Sequence, residues 1–390
     1  MPCEVEEMSV QALDQTDVAL DLPEAVPPLT SLYLYISGAC NLACRHCWIS
    51  PTYQPDGDGG QHVELDYVRK AIHEAQPLGL QSVKVSGGEP ILHPQFRELV
   101  TLINDAELSI NIETNGTLVD DALARFLKGR PRVSFISVSL DGTTAETHEA
   151  LRGVPGSYKR ALAGIKALVD AGFHPQLICT LHRGNVSQTA EIVALAERLG
   201  CGSVKFNHVQ RVGRGEQFAR QQGLEVAEII QLYHRVENEL VPRSKVRIYF
   251  DIPFAFYSIR KLLNDRLGRC SVRNILGMLA GGELSLCGIG VTVPALIYGH
   301  IENDGLREVW CHSPGLVRLR EQIPARLGGI CGQCLHRDIC QGHCVADNLH
   351  VAGRLSVPYQ FCDRAEALGL FPVSRKKQLN SKKEKHDEEK

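Results

Sequence analysis

The chain has 390 residues, 44% of them hydrophobic, with 42 Lys and Arg against 45 Asp and Glu for a net charge of −3. That length and apolar content can bury a sizeable core, and the charge balance lacks the basic excess that favours nucleic acid or a membrane surface. Seven acidic residues and no Lys or Arg precede Arg45, the opposite of a signal-peptide start, so the expected location is cytoplasmic.

The first twenty-nine residues read as an acidic extension. From Ser31 onward, short β-rich runs alternate with amphipathic stretches of helical period, the pattern of a parallel sheet wrapped by helices. Strands are predicted at Leu32–Ser37, Val83–Ser86, Ser109–Glu113, Val133–Leu140, Gln176–Leu181 and Val204–Val209, with helices at Leu65–Gln76, Phe96–Asp105, Tyr158–Ala171 and Thr189–Leu199 among those between them. The fold class is therefore α/β, and chemistry is expected in the loops at the C-terminal ends of the strands. After about residue 215 the alternation fades through a helix around Val226–Leu240 and a strand at Val246–Phe250, so residues 216–264 read as a bridging region. Eight of the fourteen cysteines then fall between Cys270 and Cys362, which marks residues 265–370 as a cysteine-rich domain. Residues 371–390 read as a disordered charged tail. Two charge-free runs, Ala25–Cys44 and Leu284–Ile301, reach membrane-spanning length, but their prolines and glycines make them buried loops and strands.

Fourteen cysteines without an export signal point to metal or redox chemistry rather than a disulfide framework. Cys40-x3-Cys44-x2-Cys47 lies in the loop after the first strand, where three thiols can converge on one centre. Three thiolates leave one iron of a [4Fe–4S] cluster open; taken alone, they also suit zinc completed by His46 or His62.

The segment Cys40 to Cys47 resembles the radical S-adenosylmethionine (SAM) superfamily. The resemblance continues strand by strand, through Ser86-Gly87-Gly88-Glu89-Pro90, Glu113-Thr114-Asn115-Gly116 and Ser137-Val138-Ser139-Leu140-Asp141-Gly142, to Leu151-Arg152-Gly153. It implies a partial (β/α)6 barrel over residues 30–215, with a [4Fe–4S] cluster on Cys40, Cys44 and Cys47 whose open iron chelates SAM. It also implies SAM contacts from Gly87, Gly88, Glu89, Thr114, Asn115, Ser139, Asp141 and Arg152, with His46 beside the adenine.

Cys270-x16-Cys287, then Cys331-x2-Cys334-x5-Cys340-x3-Cys344 and Cys362, is similar to the SPASM extension of that superfamily, which carries two auxiliary iron–sulfur clusters. By that resemblance Cys331, Cys334, Cys340 and Cys362 close one cluster, and Cys270, Cys287 and Cys344 hold the other. The second lacks a fourth cysteine unless Cys311 or a non-cysteine group serves. A zinc ribbon on Cys331, Cys334, Cys340 and Cys344 is the alternative. Cys3, Cys179 and Cys201 read as unligated.

The resemblance implies that SAM is cleaved reductively to a 5′-deoxyadenosyl radical, which takes a hydrogen atom from a substrate, with an electron donor such as flavodoxin or ferredoxin. A maturase installing a C–C or thioether link in a ribosomally made peptide ranks first, with leader recognition by a separate partner protein or by this chain's own surface. Haem or tetrapyrrole tailoring is the main rival. Sulfatase maturation ranks lower, because Gly288 stands where that group has an Asp base. A non-catalytic iron–sulfur or zinc protein is the non-enzyme alternative.

Overall fold

The computed structural model describes residues 20, 22–55, 59–264 and 270–377; Cys3, most of the acidic extension and residues 378–390 lie outside the described residues. Seven parallel strands form the backbone of the fold: β1 Ser31–Tyr35, β2 Ser82–Ser86, β3 Ser109–Thr114, β4 Val133–Ser139, β5 Gln176–Leu181, β6 Ser203–His208 and β7 Arg247–Phe250. Each neighbours the next in register, Leu32 opposite Val83 and Val83 opposite Ile110, for example. Between them run α1 Leu65–Ala75, α2 Phe96–Asp105, α3 Asp121–Lys128, α4 Ala145–Arg152, α5 Ser157–Asp170, α6 Thr189–Leu199, α7 Arg214–Gln222 and α8 Val226–Arg235.

The two-residue period of the strands sorts their side chains. Leu32, Leu34, Val83, Val85, Ile110, Ile112, Val204 and Phe206 are fully enclosed. They meet helix faces such as Val68, Ala71, Ile72 and Ala75 of α1, whose spacing places them on one stripe. The opposite face carries Tyr33, Lys84, Asn111, Glu113, Lys205 and Tyr249, all half-buried. The inside of the curved sheet is therefore polar and the outside greasy.

Three features depart from the sequence expectation. The first strand ends at Tyr35 rather than Ser37, because the chain turns there into the cysteine loop. The strand expected at Val246–Phe250 forms as β7, but it joins the main sheet beside β6 rather than bridging, and α7 runs across residue 215. The cysteine-rich region adds β8 Ile275–Met278, parallel to the free edge of β1, followed by antiparallel β9 Glu283–Ser285 and β10 Ile297–His300. Among the described residues one ten-stranded sheet thus runs β10-β9-β8-β1-β2-β3-β4-β5-β6-β7.

Residues 371–377, read as part of the tail, are packed instead. Phe371 is buried against Phe256, and Lys376 bridges to Cys334. No described helix is long and apolar enough to cross a membrane.

Candidate functional site

Cys40, Cys44 and Cys47 follow β1, the first two buried and the third half-buried. A dense polar net fixes their loop. Asn115 Nδ2 donates to Asn41 Oδ1 at 2.8 Å and lies 3.9 Å from Cys40 Sγ, while Asn41 Nδ2 donates to the Thr117 hydroxyl at 2.9 Å. The Leu42 N–H points at Cys40 Sγ from 3.4 Å.

The glycine loop after β2 is pressed against this one. Gly88 N–H donates to Ser37 O at 2.7 Å and Glu89 N–H to Ala39 O at 2.9 Å. A Cβ on Gly88 would lie 2.0 Å from the Ala39 carbonyl oxygen, and Gly87 has φ +135°, so neither position accepts a side chain without strain. Glu89 is wholly enclosed. Its carboxylate accepts the Thr114 hydroxyl at 2.7 Å, the Asn115 N–H at 2.8 Å and the Ile91 N–H at 3.2 Å. Burial nevertheless raises its pKa to about 7, the three donors offsetting only part of that cost. Glu89 thus organises the Thr114–Asn115 turn, and through Asn115 the cysteine loop.

Arg152 closes the other side. It ends α4, its Nε donates to Asp141 Oδ2 at 2.5 Å, and its Nη1 reaches Cys44 Sγ at 3.6 Å. Asp141 has no exposed surface and also accepts the Thr180 N–H at 2.8 Å. Burial pushes the Asp141 carboxyl up, but Arg152 outweighs it and holds the pKa at about 2. Asp141 is thus engaged by both Arg152 and the backbone of β5.

His46 packs beside Phe218 with its Nδ1 buried and unpartnered. Burial first, then Arg152, lower its pKa to about 3, so the ring is neutral. Ser139 ends β4 and is half-buried. His62 lies against His93, ring centroids 5.4 Å apart.

The downstream cysteines form two sets. Cys331, Cys334, Cys340 and Cys362 line one pocket, with Leu327, Phe371 and Pro253 among its apolar walls. Cys331 donates or accepts with Cys362, which brings its pKa down to about 7, and Tyr359 N–H approaches Cys331 Sγ at 3.4 Å. Cys344 lies instead with Cys287 and Cys270: burial and then these two thiols push its own thiol well above the ordinary value. Lys84 and Lys205 face Cys270 from the inner side of the sheet. Cys179, Cys201 and Cys311 are buried elsewhere.

These donor sets fit iron–sulfur groups. Among the described residues no three His, Cys, Asp or Glu side chains close on a single ion. Cys331, Cys334, Cys340 and Cys362 around one pocket offer four sulfur donors, the ligand set that an iron–sulfur cluster or a zinc ion takes.

Two polar groups escaped the sequence reading. Lys84 Nζ pairs with Glu113 Oε1 at 2.6 Å and lies 5.0 Å from the Tyr33 ring centre, on the inner face. The only signal for them was charge at alternate positions of otherwise apolar strands. His343 Nε2 lies 3.2 Å from Asp251, and its ring lies tilted against Tyr359 with centroids 4.6 Å apart; the Tyr359 hydroxyl is 3.4 Å from His208. Burial opposes the His343 charge, but Asp251 prevails and raises the pKa to about 10. Here the signal was a histidine between Cys340 and Cys344.

Gly288 is also explained by contact. A Cβ there would lie 2.3 Å from the Tyr35 ring and 2.9 Å from Trp48. The aromatic pair of Tyr35, which ends β1, and Trp48, which follows Cys47, occupies the space a longer side chain would need.

Residues 34–196 match the model of the radical SAM superfamily. Over 320 residues the chain is 28% identical to the AdoMet-dependent heme synthase of Methanosarcina barkeri, covering 79% of this chain and 88% of that protein. It is likewise 28% identical to the mycofactocin maturase MftC of Mycobacterium tuberculosis, covering 90% and 85%. In fold it is similar to Streptococcus suis SuiB bound to the precursor peptide SuiA, with a TM-score of 0.69 at 17% identity over 86% of this chain and 76% of that one. Residues 34–196, with the cysteine triplet after β1 of a parallel α/β sheet, thus form a radical SAM domain, and the chain is an enzyme of that type.

Proposed function

We propose that this protein is a radical SAM/SPASM maturase that modifies a ribosomally made precursor peptide in the cytoplasm, installing a C–C or thioether link. The observation that carries the reading is the sorting of ten cysteines into three groups in a chain whose sheet turns a polar, half-buried inner face. The relatedness to MftC and the fold shared with SuiB support it.

In this reading Cys40, Cys44 and Cys47 hold the SAM-binding cluster, Cys331, Cys334, Cys340 and Cys362 a fully ligated auxiliary one, and Cys270, Cys287 and Cys344 another whose fourth ligand is open. Bound cluster and SAM together supply a radical able to take a hydrogen atom from an unactivated carbon. The chain's own part is positional. Asn115, Asn41 and Arg152 hold the triplet loop, while Gly87 and Gly88 let backbone approach closely. Ser139, Thr114 and His46 form the rest of the SAM pocket. Tyr33, Lys84 and Glu113 face the substrate from the inner sheet surface. Leader recognition falls to a separate partner or to the outer surface.

The test is anaerobic reconstitution. About twelve irons per chain are expected, falling by about four in Cys44→Ala and, separately, in Cys334→Ala. Four irons in the parent chain, or bound zinc, would overturn the three-cluster assignment. Absence of 5′-deoxyadenosine from SAM and dithionite would remove the enzymatic one. Haem tailoring is the second reading, favoured by the heme synthase relative. Decarboxylation of an iron porphyrin in the same assay would replace the maturase.

A further inference from the structure

The pocket of Cys331, Cys334, Cys340 and Cys362 sits just beneath a surface of unusual character. Leu335, adjoining Cys334, is 55% exposed; Ile339, adjoining Cys340, is 51%; and Val373 is 78%. They belong to one patch. Leu335 N–H donates to Arg375 O at 2.9 Å, Lys377 N–H donates to Gln333 O at 2.8 Å, and Cys334 bridges to Lys376 between them. Single exposed aliphatics need no explanation, but three on two crossed segments above a set of four thiols do.

The rim is basic. Arg337, Arg375, Lys376 and Lys377 lie on these two segments against one acid, Asp338; Asp338 pairs with Arg337 at 2.9 Å and Glu366 with Lys376 at 2.6 Å, while Arg375 Nη2 donates to Tyr257 O at 2.9 Å and Lys377 Nζ to Gly332 O at 3.4 Å. Inward, Cys340 is hydrogen-bonded to His343, which contacts Asp251, and the next residue is Cys344 of the other thiol set. A short covalent and hydrogen-bonded path thus leads from the patch towards the inner face of the sheet.

We propose that this patch is the docking surface for an acidic one-electron carrier protein, which delivers its electron through the four-thiol site. The proposal rests on the auxiliary-cluster reading above. In the transfer, a flavin hydroquinone or reduced iron–sulfur centre of the carrier loses one electron and becomes oxidised by one unit, and the cluster gains it. No bond is made or broken, and a proton released by the flavin goes to solvent. Apolar centre and charged rim have separate tasks: the aliphatics bring the partner close, and the cations steer it and make encounter salt-dependent.

The experiment uses the full chain, reconstituted and counted for iron, mixed anaerobically with flavodoxin hydroquinone while cluster absorbance is followed. Val373→Asp and Lys377→Glu are expected to slow reduction by flavodoxin on the order of tenfold at low salt, with the gap closing as salt rises, and to leave reduction by dithionite and the iron content unchanged. Equal flavodoxin rates in parent and variants at full iron content would overturn the docking surface alone. An iron content of about four per chain would overturn the cluster reading and this proposal with it. Slowing that appears equally with dithionite would also overturn it, since that marks a damaged cluster rather than lost docking.

Discussion

Arg152 stands between Asp141 and Cys44, its Nε 2.5 Å from the carboxylate and its Nη1 3.6 Å from the sulfur. Both ends of this bridge are buried, so the guanidinium is useful only while Asp141 balances it. It also gives the triplet loop a fixed cation beside one thiol, where a thiolate ligand accumulates charge.

Asp141→Asn leaves that guanidinium uncompensated. The expected cost is about 3–5 kcal/mol of unfolding free energy, the range for breaking a buried pair from one side. Urea midpoints of the cluster-free protein measure it; a loss below about 1 kcal/mol would show that the pair is solvated in solution.

Glu89 makes apo-protein stability fall with rising pH. Its folded pKa, about 7, lies above the ordinary glutamate value of 4.5, so the unfolded chain loses the proton first. The stabilisation is complete below about pH 4.5 and is lost as pH climbs through 7, by up to roughly 3 kcal/mol. Comparing urea curves at pH 5 and 8 for the parent and Glu89→Gln isolates the contribution, because the variant should lose that slope.

Asn115→Ala removes the donor to Asn41 and the contact with Cys40. Leaving the buried Asn41 oxygen without this partner costs about 1–3 kcal/mol. The readout that separates loop positioning from general weakening is iron loading: loss of about four irons, with the downstream sets still filled, is expected. Uniform loss from all sets would assign Asn115 to global stability only.

Gly288→Ala forces a methyl against Tyr35 and Trp48. Overpacking of this kind costs about 1–3 kcal/mol and moves the rings, so tryptophan fluorescence and near-ultraviolet dichroism should both change. Unchanged spectra would mean that the helical turn at Gly288–Val291 shifts instead.

The parallel sheet was legible because strands covered by helices are rich in Val, Ile and Leu, as in Val83–Val85 and Ile110–Ile112. β8 was not, since Ile275–Met278 is four residues long, contains Gly277, and owes its pairing to the vacant edge of β1. Likewise the cysteine spacing grouped the thiols, whereas the role of Asp141 depended on a tertiary contact. Its eleven-residue separation from Arg152 has no helical or strand period, so the pair had no sequence signal. Glu89 was assigned to the SAM loop for its neighbours; only the fold reveals that both oxygens face Thr114 and Asn115.

The pairing of β8 with β1 also sets a timetable for synthesis. When β1 through β7 have left the ribosome, the far edge of β1 still exposes unpaired backbone beside the cysteine loop, and its partner begins only at Ile275. During that interval the chain presents an open strand edge, the feature most prone to wrong pairing. A nascent chain stalled before residue 275 should therefore associate or recruit chaperones, and one stalled well beyond β10 should not.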